Sequence, residues 1–289
     1  MYRVVLVLSL LGACDYVFTI KVAPDGAPGG TPDDGRQGGE RIASGACPAI
    51  GTAPAFSMNP TTIFDKRCKY SESVAADLAV ADCVSSAGRL EGPPGGPFTT
   101  PLQIDVAAGT TLSDARITPE GDRLIALASP TSGPPQIEVY TRASGVWQSP
   151  TPLPISGLQS TDTVGTGSAR SGQHLIVSHH DFNPGAFDEY RDLGNGTWDM
   201  PHSYSPGTFG LATIGQPSLT PDGKRLVFIG DPSGGSVSLY YAERASIDDA
   251  FTAATNIPVF EQFTFNPFLT ADCSRLYIAS AFAVEFIAP

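Results

Sequence analysis

The chain has 289 residues, 41% of them hydrophobic and 16% charged, enough apolar side chain for one large all-β domain or two small ones. Lys and Arg number 17 against 29 Asp and Glu, a formal charge of −12. No cluster of Lys or Arg is present to neutralise phosphates, so nucleic acid is excluded as a partner class. The 31 Gly and 26 Pro are spread as punctuation between apolar runs, which favours many short strands over long helices.

The N-terminus, MYRVVLVLSLLGACD, has one Arg, an apolar run from Val4 to Leu11 and small residues before Cys14. These are the marks of an export signal, and the run is too short to span a bilayer as a helix. Its Leu-Gly-Ala-Cys ending resembles the lipobox of bacterial lipoproteins. That resemblance implies a signal peptide over residues 1–13 and a lipidated Cys14 as first mature residue, an ordinary secretory signal being the alternative. Each buried CH₂ of an acyl chain contributes about 0.8 kcal/mol, so several chains on one Cys anchor stably where one does not.

Residues 15–22, DYVFTIKV, alternate apolar and polar. Residues 23–40, APDGAPGGTPDDGRQGGE, carry almost no apolar side chain. Such a stretch cannot bury enough surface to offset its ordering entropy, so residues 14–50 read as anchor and flexible tether and 51–289 as the folded body. Apart from Cys14 there are four cysteines: Cys47, Cys68, Cys83 and Cys273. An even number in an exported protein is compatible with two disulfides in any of three pairings. No CxxC and no nearby His accompany them, which argues against zinc.

In the body one pattern recurs: ITPEGDRLIALAS at 117–129, SARSGQHLIVSHH at 168–180, LTPDGKRLVFIG at 219–230 and LTADCSRLYIAS at 269–280. The leucine opening each run, Leu124, Leu175, Leu226 and Leu276, returns at intervals of 51, 51 and 50 residues. Gly121, Gly172, Gly223 and then Cys273 keep step with it. Aromatic-led segments precede each centre, and segments rich in Tyr and aliphatic residues follow it. A fainter copy, ADLAVADCVSS at 76–86, implies an earlier degenerate unit. Both parities of RLVFI and HLIV are apolar, which predicts a strand covered on both faces. Thr-Pro-Asp-Gly predicts a tight turn before it, Pro supplying φ near −65° and Gly a positive φ. Four-stranded sheets repeated radially, each packed on its neighbours, make a β-propeller.

Thr220-Pro221-Asp222-Gly223-Lys224-Arg225-Leu226 is similar to the SPDGKxLxF signature of TolB-type, WD40-like propeller repeats, and Thr118-Pro119-Glu120-Gly121-Asp122-Arg123-Leu124 follows it nearly as well. The copies at 168–175 and 269–276 are looser. The resemblance covers residues 55–289 and implies an all-β propeller of about five blades, four or six being the alternatives; it says little about function. The last unit ends at AVEFIAP, before a fourth strand, so the N-terminal side is expected to complete it, from residues 15–22 or from the segment near Cys47. Cys273 stands where a tight turn wants Gly, which suggests a Cys47–Cys273 bridge pinning that segment to the last blade.

Chemistry-bearing residues are sparse. His179, His180 and Asp181 fall together at a strand end, but adjacent strand residues point to opposite faces, so they read as a polar loop. Asp188, Glu189, Asp192, Asn195 and Asp199 gather in one segment without the alternating ligand pattern of a calcium loop. Gly-Ser within GTGSARSG (165–172) has no helix after it to make a nucleophile elbow, and no phosphate-binding loop occurs. Asp122, Asp222 and Asp272 sit in turns. Arg123, His174, Arg225 and Arg275 open the same strand of successive units, either as a ring for an anion or, more simply, as partners of the turn carboxylates. No catalytic, metal or cofactor residue is assigned. The reading is a lipid-anchored, monomeric envelope propeller, non-enzymatic, that binds an envelope protein partner or serves as a scaffold; the alternative is a propeller hydrolase acting on envelope glycan or peptide with channel carboxylates.

Overall fold

The computed structural model describes residues 47–288 apart from 53, 57–59, 74, 84–87, 167–173, 194–195, 234–235, 259–264 and 281. The signal segment, Cys14 and residues 15–22 lie outside them. The described chain is all-β apart from one short 3-10 turn at Pro206–Phe209. In chain order, β1 is Thr61–Phe64. Blade 1 is β2 (Cys68–Ser73), β3 (Leu78–Cys83), β4 (Arg89–Gly92) and β5 (Thr100–Pro101). Blade 2 is β6 (Thr110–Ile117), β7 (Arg123–Pro130), β8 (Gln136–Ala143), β9 (Val146–Trp147) and β10 (Thr151–Pro152). Blade 3 is β11 (Thr163–Thr166), β12 (His174–His179), β13 (Ala186–Asp192) and β14 (Trp198–Tyr204). Blade 4 is β15 (Thr213–Leu219), β16 (Arg225–Asp231), β17 (Ser238–Glu243) and β18 (Thr255–Ile257). Blade 5 is β19 (Phe265–Leu269), β20 (Leu276–Ala279) and β21 (Val284–Ile287), with β1 as its outer strand.

Each blade is an antiparallel meander. The first strands touch in a cycle: β2 meets β6, β6 meets β11, β11 meets β15, β15 meets β19, and β19 meets β2. They surround the propeller axis. The expected five-bladed propeller is therefore the observed fold. Its core is five cores, one in each seam between blades. The second strands supply them with alternate residues on opposite sides: Leu226 and Phe228 pack toward blade 3, Val227 and Ile229 toward blade 5. All seven residues of β16 are buried, as the double-parity pattern predicted. Blade 1 is out of phase by one residue. Leu78 and Val80 face forward into the seam with blade 2, and Ala79 and Ala81 face back toward blade 5. That slip is why its copy reads faintly.

The repeated turn has one construction. Thr118, Thr220 and Thr270 each donate a backbone N–H to the carbonyl of Arg123, Arg225 and Arg275 and accept at their own carbonyl from Gly121, Gly223 and Cys273. The threonine hydroxyls cap it, donating to Asp122 (3.1 Å), Asp222 (2.6 Å) and Asp272 (2.7 Å). Glycine is needed for two reasons. Its φ is +74° at Gly121 and +65° at Gly223, and a Cβ would stand 2.1 Å from Ala76 Cβ of the preceding blade at Gly121, and at Gly223 3.0 Å from His174 of the preceding blade and from Ile247 of its own. At Cys273 the left-handed φ of +59° is kept, and the side chain joins Cys47 in a disulfide spanning 226 residues. Cys68 and Cys83, paired across β2 and β3, form the second disulfide over 15 residues.

The strand that closes the ring differs from expectation. It is Thr61–Phe64, paired antiparallel with β21, and not the segment at Cys47. That segment is punctuated by Pro48, Pro54 and Pro60, which cannot donate to a ladder, whereas Thr-Thr-Ile-Phe is β-branched and aromatic and suits an edge strand. Residues 47–51 lie instead across the turns of blades 4 and 5: besides the disulfide, Arg225 donates to the Pro48 carbonyl, and Gly51 N–H donates to Glu243 at 2.9 Å. The span read as tether is thus bound to the body from Cys47 onward.

A cross-link restricts the unfolded chain more as its loop lengthens. Replacing Cys47 and Cys273 together by Ala is expected to cost about 4–5 kcal/mol of unfolding free energy, and replacing Cys68 and Cys83 about 3 kcal/mol or less. Urea titration of the two variants orders them; equal midpoints would show that the long bridge does not pin blade 5.

Candidate functional site

The meander gives the disc two unlike faces. One carries the turns between first and second strands and the hairpins between third and fourth; the N-terminal segment at 47–51 is bound to this turn face. The opposite, loop face carries the connections between second and third strands and those from one blade to the next. The exposed Phe282, 82% accessible, and Val237 belong to loop-face connections.

Toward the loop face, three of the five first strands break register, between Ser113 and Arg116, Gly215 and Ser218, and Phe265 and Phe268. At each break a polar residue adopts a left-handed backbone: Asp114 (φ 56°), Gln216 (φ 53°) and Asn266 (φ 48°). A bulge frees a backbone N–H from the ladder, and a side chain of the preceding blade takes it up. Asp82 accepts from Ala115 N at 3.0 Å, Asp181 from Gln216 N at 3.1 Å, and the Gln216 amide oxygen from Asn266 N at 2.8 Å. Lys69 of β2 pairs with Asp114, and Arg89 with Asp82 at 3.1 Å. Asp181 also accepts from Thr163 at 3.2 Å and from Ser178. Burial holds its carboxyl above the usual range, and the charge of Asp114 adds to this, outweighing those hydrogen bonds. Chemically this is a set of ties between neighbouring blades, each anchoring a first-strand bulge, with Asp82, Asp114 and Asp181 engaged.

Sequence reasoning singled out Asp181 but missed Asp114, Gln216 and Asn266. The available signal was Gln216-Pro217 and Asn266-Pro267, two polar-Pro pairs 50 residues apart just ahead of the repeated turns, where Pro in a strand marks a bulge.

The other singled-out residues separate into pairs and networks. His179, the last residue of β12, lies with Nδ1 2.9 Å from Asp162 and Nε2 3.2 Å from Asp188. His180, exposed on the following loop with φ 52°, meets the Gln159 amide at 3.1 Å. The two histidines therefore diverge, as adjacent residues at a strand end do.

Glu189 belongs to no calcium loop. It is fully buried and accepts two hydrogen bonds from Arg244, at 2.6 and 2.9 Å, and one from Tyr204 at 2.8 Å, with His174 in contact. Burial alone would raise its pKa, but His174 and Arg244 outweigh it and bring it down to about 2. Arg244 stacks over Phe251 at 4.4 Å and donates to the Gly223 carbonyl at 2.7 Å, so one guanidinium ties blade 3 to the turn of blade 4. Asp199 is exposed, and Asn195 lies outside the described residues.

Three of the four second-strand openers are engaged by separate partners. Arg225 pairs with Asp222 (3.1 Å) and Tyr241 (3.0 Å), Arg275 with Tyr277 (3.3 Å) over the Phe286 ring, and His174 with Glu189. Of GTGSARSG only Gly165 and Thr166, in β11, are among the described residues. Among those residues, no group of three or more His, Cys, Asp or Glu is arranged to hold a metal ion, and no helix is long and apolar enough to cross a membrane.

No family model matches the chain, and no curated protein does. Solved structures do resemble it. A putative TolB from Agrobacterium tumefaciens is 14% identical with a TM-score of 0.51, the match covering 77% of this chain and 71% of that one. TolB from Acinetobacter baumannii is 16% identical with a TM-score of 0.44, over 78% of this chain and 55% of that one. An oligogalacturonate lyase in complex with manganese is 15% identical with a TM-score of 0.38, over 60% of this chain and 48% of that one. The likeness is one of fold: a β-propeller shared with the Agrobacterium protein.

The Glu189 network has a pH signature. Because the folded-state pKa of Glu189 is depressed from 4.5 to about 2, its contribution to stability is present above the unfolded value and is lost as pH falls from about 4.5 through about 2. Glu189→Ala is expected to cost about 3–5 kcal/mol at neutral pH by stranding Arg244, whereas Asp199→Ala changes stability by about 0.5 kcal/mol or less. Urea melts at pH 7 and pH 3 check both: the gap between wild type and Glu189→Ala narrows at pH 3, and a gap independent of pH contradicts the assignment.

Proposed function

We propose that the protein is exported to a bacterial cell envelope, anchored there through a lipid on Cys14, and acts as a monomeric binding or scaffold module whose loop face holds an envelope protein. The observation that carries this reading is the seating of residues 47–51 on the turn face by the Cys47–Cys273 bridge, Arg225 and Glu243. An anchor at Cys14 and a Gly/Pro/Asp-rich tether over residues 14–46 would enter the body on that face and leave the loop face free. Two disulfides fit an oxidising compartment outside the cytoplasm. The resemblance of the repeats to TolB-type propellers favours an envelope protein as the occupant. The carboxylates around the axis are engaged in ties between blades, which favours binding over hydrolysis.

The test places a photo-crosslinking amino acid at loop-face positions Pro134, Asn183 or Phe282 and at turn-face positions Glu120 or Ala245 in the native host. We expect one discrete protein adduct from the loop face and none from the turn face, with wild type in the membrane fraction and Cys14→Ser released from it. Adducts from the turn face alone would overturn the face assignment, and a Cys14→Ser protein that stays with the membrane would overturn the lipid anchor.

A further inference from the structure

His179 stands between two carboxylates at the loop face of blade 3. Its Nδ1 is hydrogen-bonded to Asp162 at 2.9 Å on the connection arriving from blade 2, and its Nε2, buried and otherwise without a hydrogen-bond partner, stands 3.2 Å from Asp188 on β13, within ion-pair distance. A neutral imidazole carries one N–H and one lone pair. It can donate to one of these oxygens and must turn a lone pair toward the other; only the imidazolium donates to both.

The two carboxylates are not equivalent. The Asp162 side chain has no exposure, and it fixes the 159–162 turn by accepting from Gln159 N at 2.8 Å. Asp188 is 21% exposed, with Ser203 of β14 as a further partner. A buried acceptor deprived of its donor costs more than a wet one, so a neutral ring keeps its proton on Nδ1, facing Asp162, and releases Asp188. We infer that His179 is a proton-operated clamp: as imidazolium it ties the 159–162 connection to β13, and as neutral imidazole it stays with Asp162 and frees the Asp188 carboxylate at the loop face.

The other groups near the cluster have partners of their own. From β13, Tyr190 also faces the cluster; burial and the two carboxylates push its hydroxyl up to about 12. On the loop after β12, Asp181 is taken up by Ser178, Thr163 and Gln216 N, and His180 by Gln159. Asp188 sits below the ordinary carboxylate range because the His179 ring lies beside it. His179 is raised above 6.5, first by the Asp188 carboxylate beside Nε2, against some loss from burial, with Asp162 adding to it. The sign follows: the clamp's contribution to stability is full below the unfolded pKa of 6.5 and is lost as pH rises through the higher folded value. An envelope protein meets the pH of its surroundings, so the charge of this face would follow it. The inference does not depend on the lipid anchor or on a protein partner.

The experiment is NMR of the folded protein labelled at the histidine ring nitrogens, titrated from pH 5 to 9, on wild type and Asp188→Asn. In wild type His179 is expected to titrate above 6.5 and to end as the Nδ1–H tautomer at high pH. Asp188→Asn is expected to weaken proton binding at His179 about tenfold, with His174 and His202 resonances unchanged as a sign of an intact blade. Titration at or below 6.5, an Nε2–H tautomer at high pH, or an unaltered pKa in Asp188→Asn would each overturn the clamp. The wild-type readouts stand even if the variant fails to fold.

Discussion

The structure depends on closing a ring from a chain with two ends. A blade in this fold has no independent core: the apolar residues of each second strand alternate between two seams, so every blade needs both neighbours to bury both faces. Blades 2, 3 and 4 find them along the chain. Blades 1 and 5 find each other only when β19 reaches β2, and that seam is filled by Tyr70, Phe98, Phe268, Tyr277 and Val284. The Tyr70 and Tyr277 rings stand 4.1 Å apart in it. Blade 5 has three strands from the C-terminus and takes its fourth, β1, from the N-terminal side. The strand is four residues long, with none of them fully buried, so on its own it is a weak fastener. The disulfide at Cys273 supplements it by holding the chain just upstream against the turns of blades 4 and 5.

Much of this architecture is legible in sequence because a propeller repeats its constraints. The turn before each second strand must reverse the chain while lying against the preceding blade. Thr, Gly and a neighbouring Asp therefore recur with the strand they introduce. The same logic made Cys273 conspicuous, as a side chain at a position where Gly121 and Gly223 show that a Cβ meets the preceding blade. What stayed hidden lacks a repeat. Thr-Thr-Ile-Phe occurs once and is too short to show a period. The bulges at Asp114, Gln216 and Asn266 occur in three blades of five with three different residues, because the requirement falls on the backbone and on a partner in another blade. Blade 1 slips by one residue, and a one-residue slip exchanges the two faces of a strand.

The charged residues were the least legible part. Glu189 sits in a run that looks like a solvated acidic hairpin, yet it is fully buried and serves as the hub joining β13 to Arg244 of blade 4 and Tyr204 of β14. Nothing in a local window marks it, since its partners lie 15 and 55 residues away. Arg225, Arg275 and His174 likewise look like a row and act as separate ties. Most polar chemistry in this protein is thus spent on holding blades at fixed angles. On the loop face the His179 cluster is a site whose charge can change.

Hydrogen exchange followed by mass spectrometry on the oxidised wild-type protein tests the closure most directly. A ring fastened through β1 and the Cys47–Cys273 bridge predicts that amides of Thr61–Phe64 and of Val284–Ile287 exchange well below the rate of unstructured chain, and that the seam strands β2 and β20 are as protected as β7 and β16. Free exchange over Thr61–Phe64 together with fast exchange in β20 and β21 would mean an open ring, and would contradict the account of how this chain holds its shape.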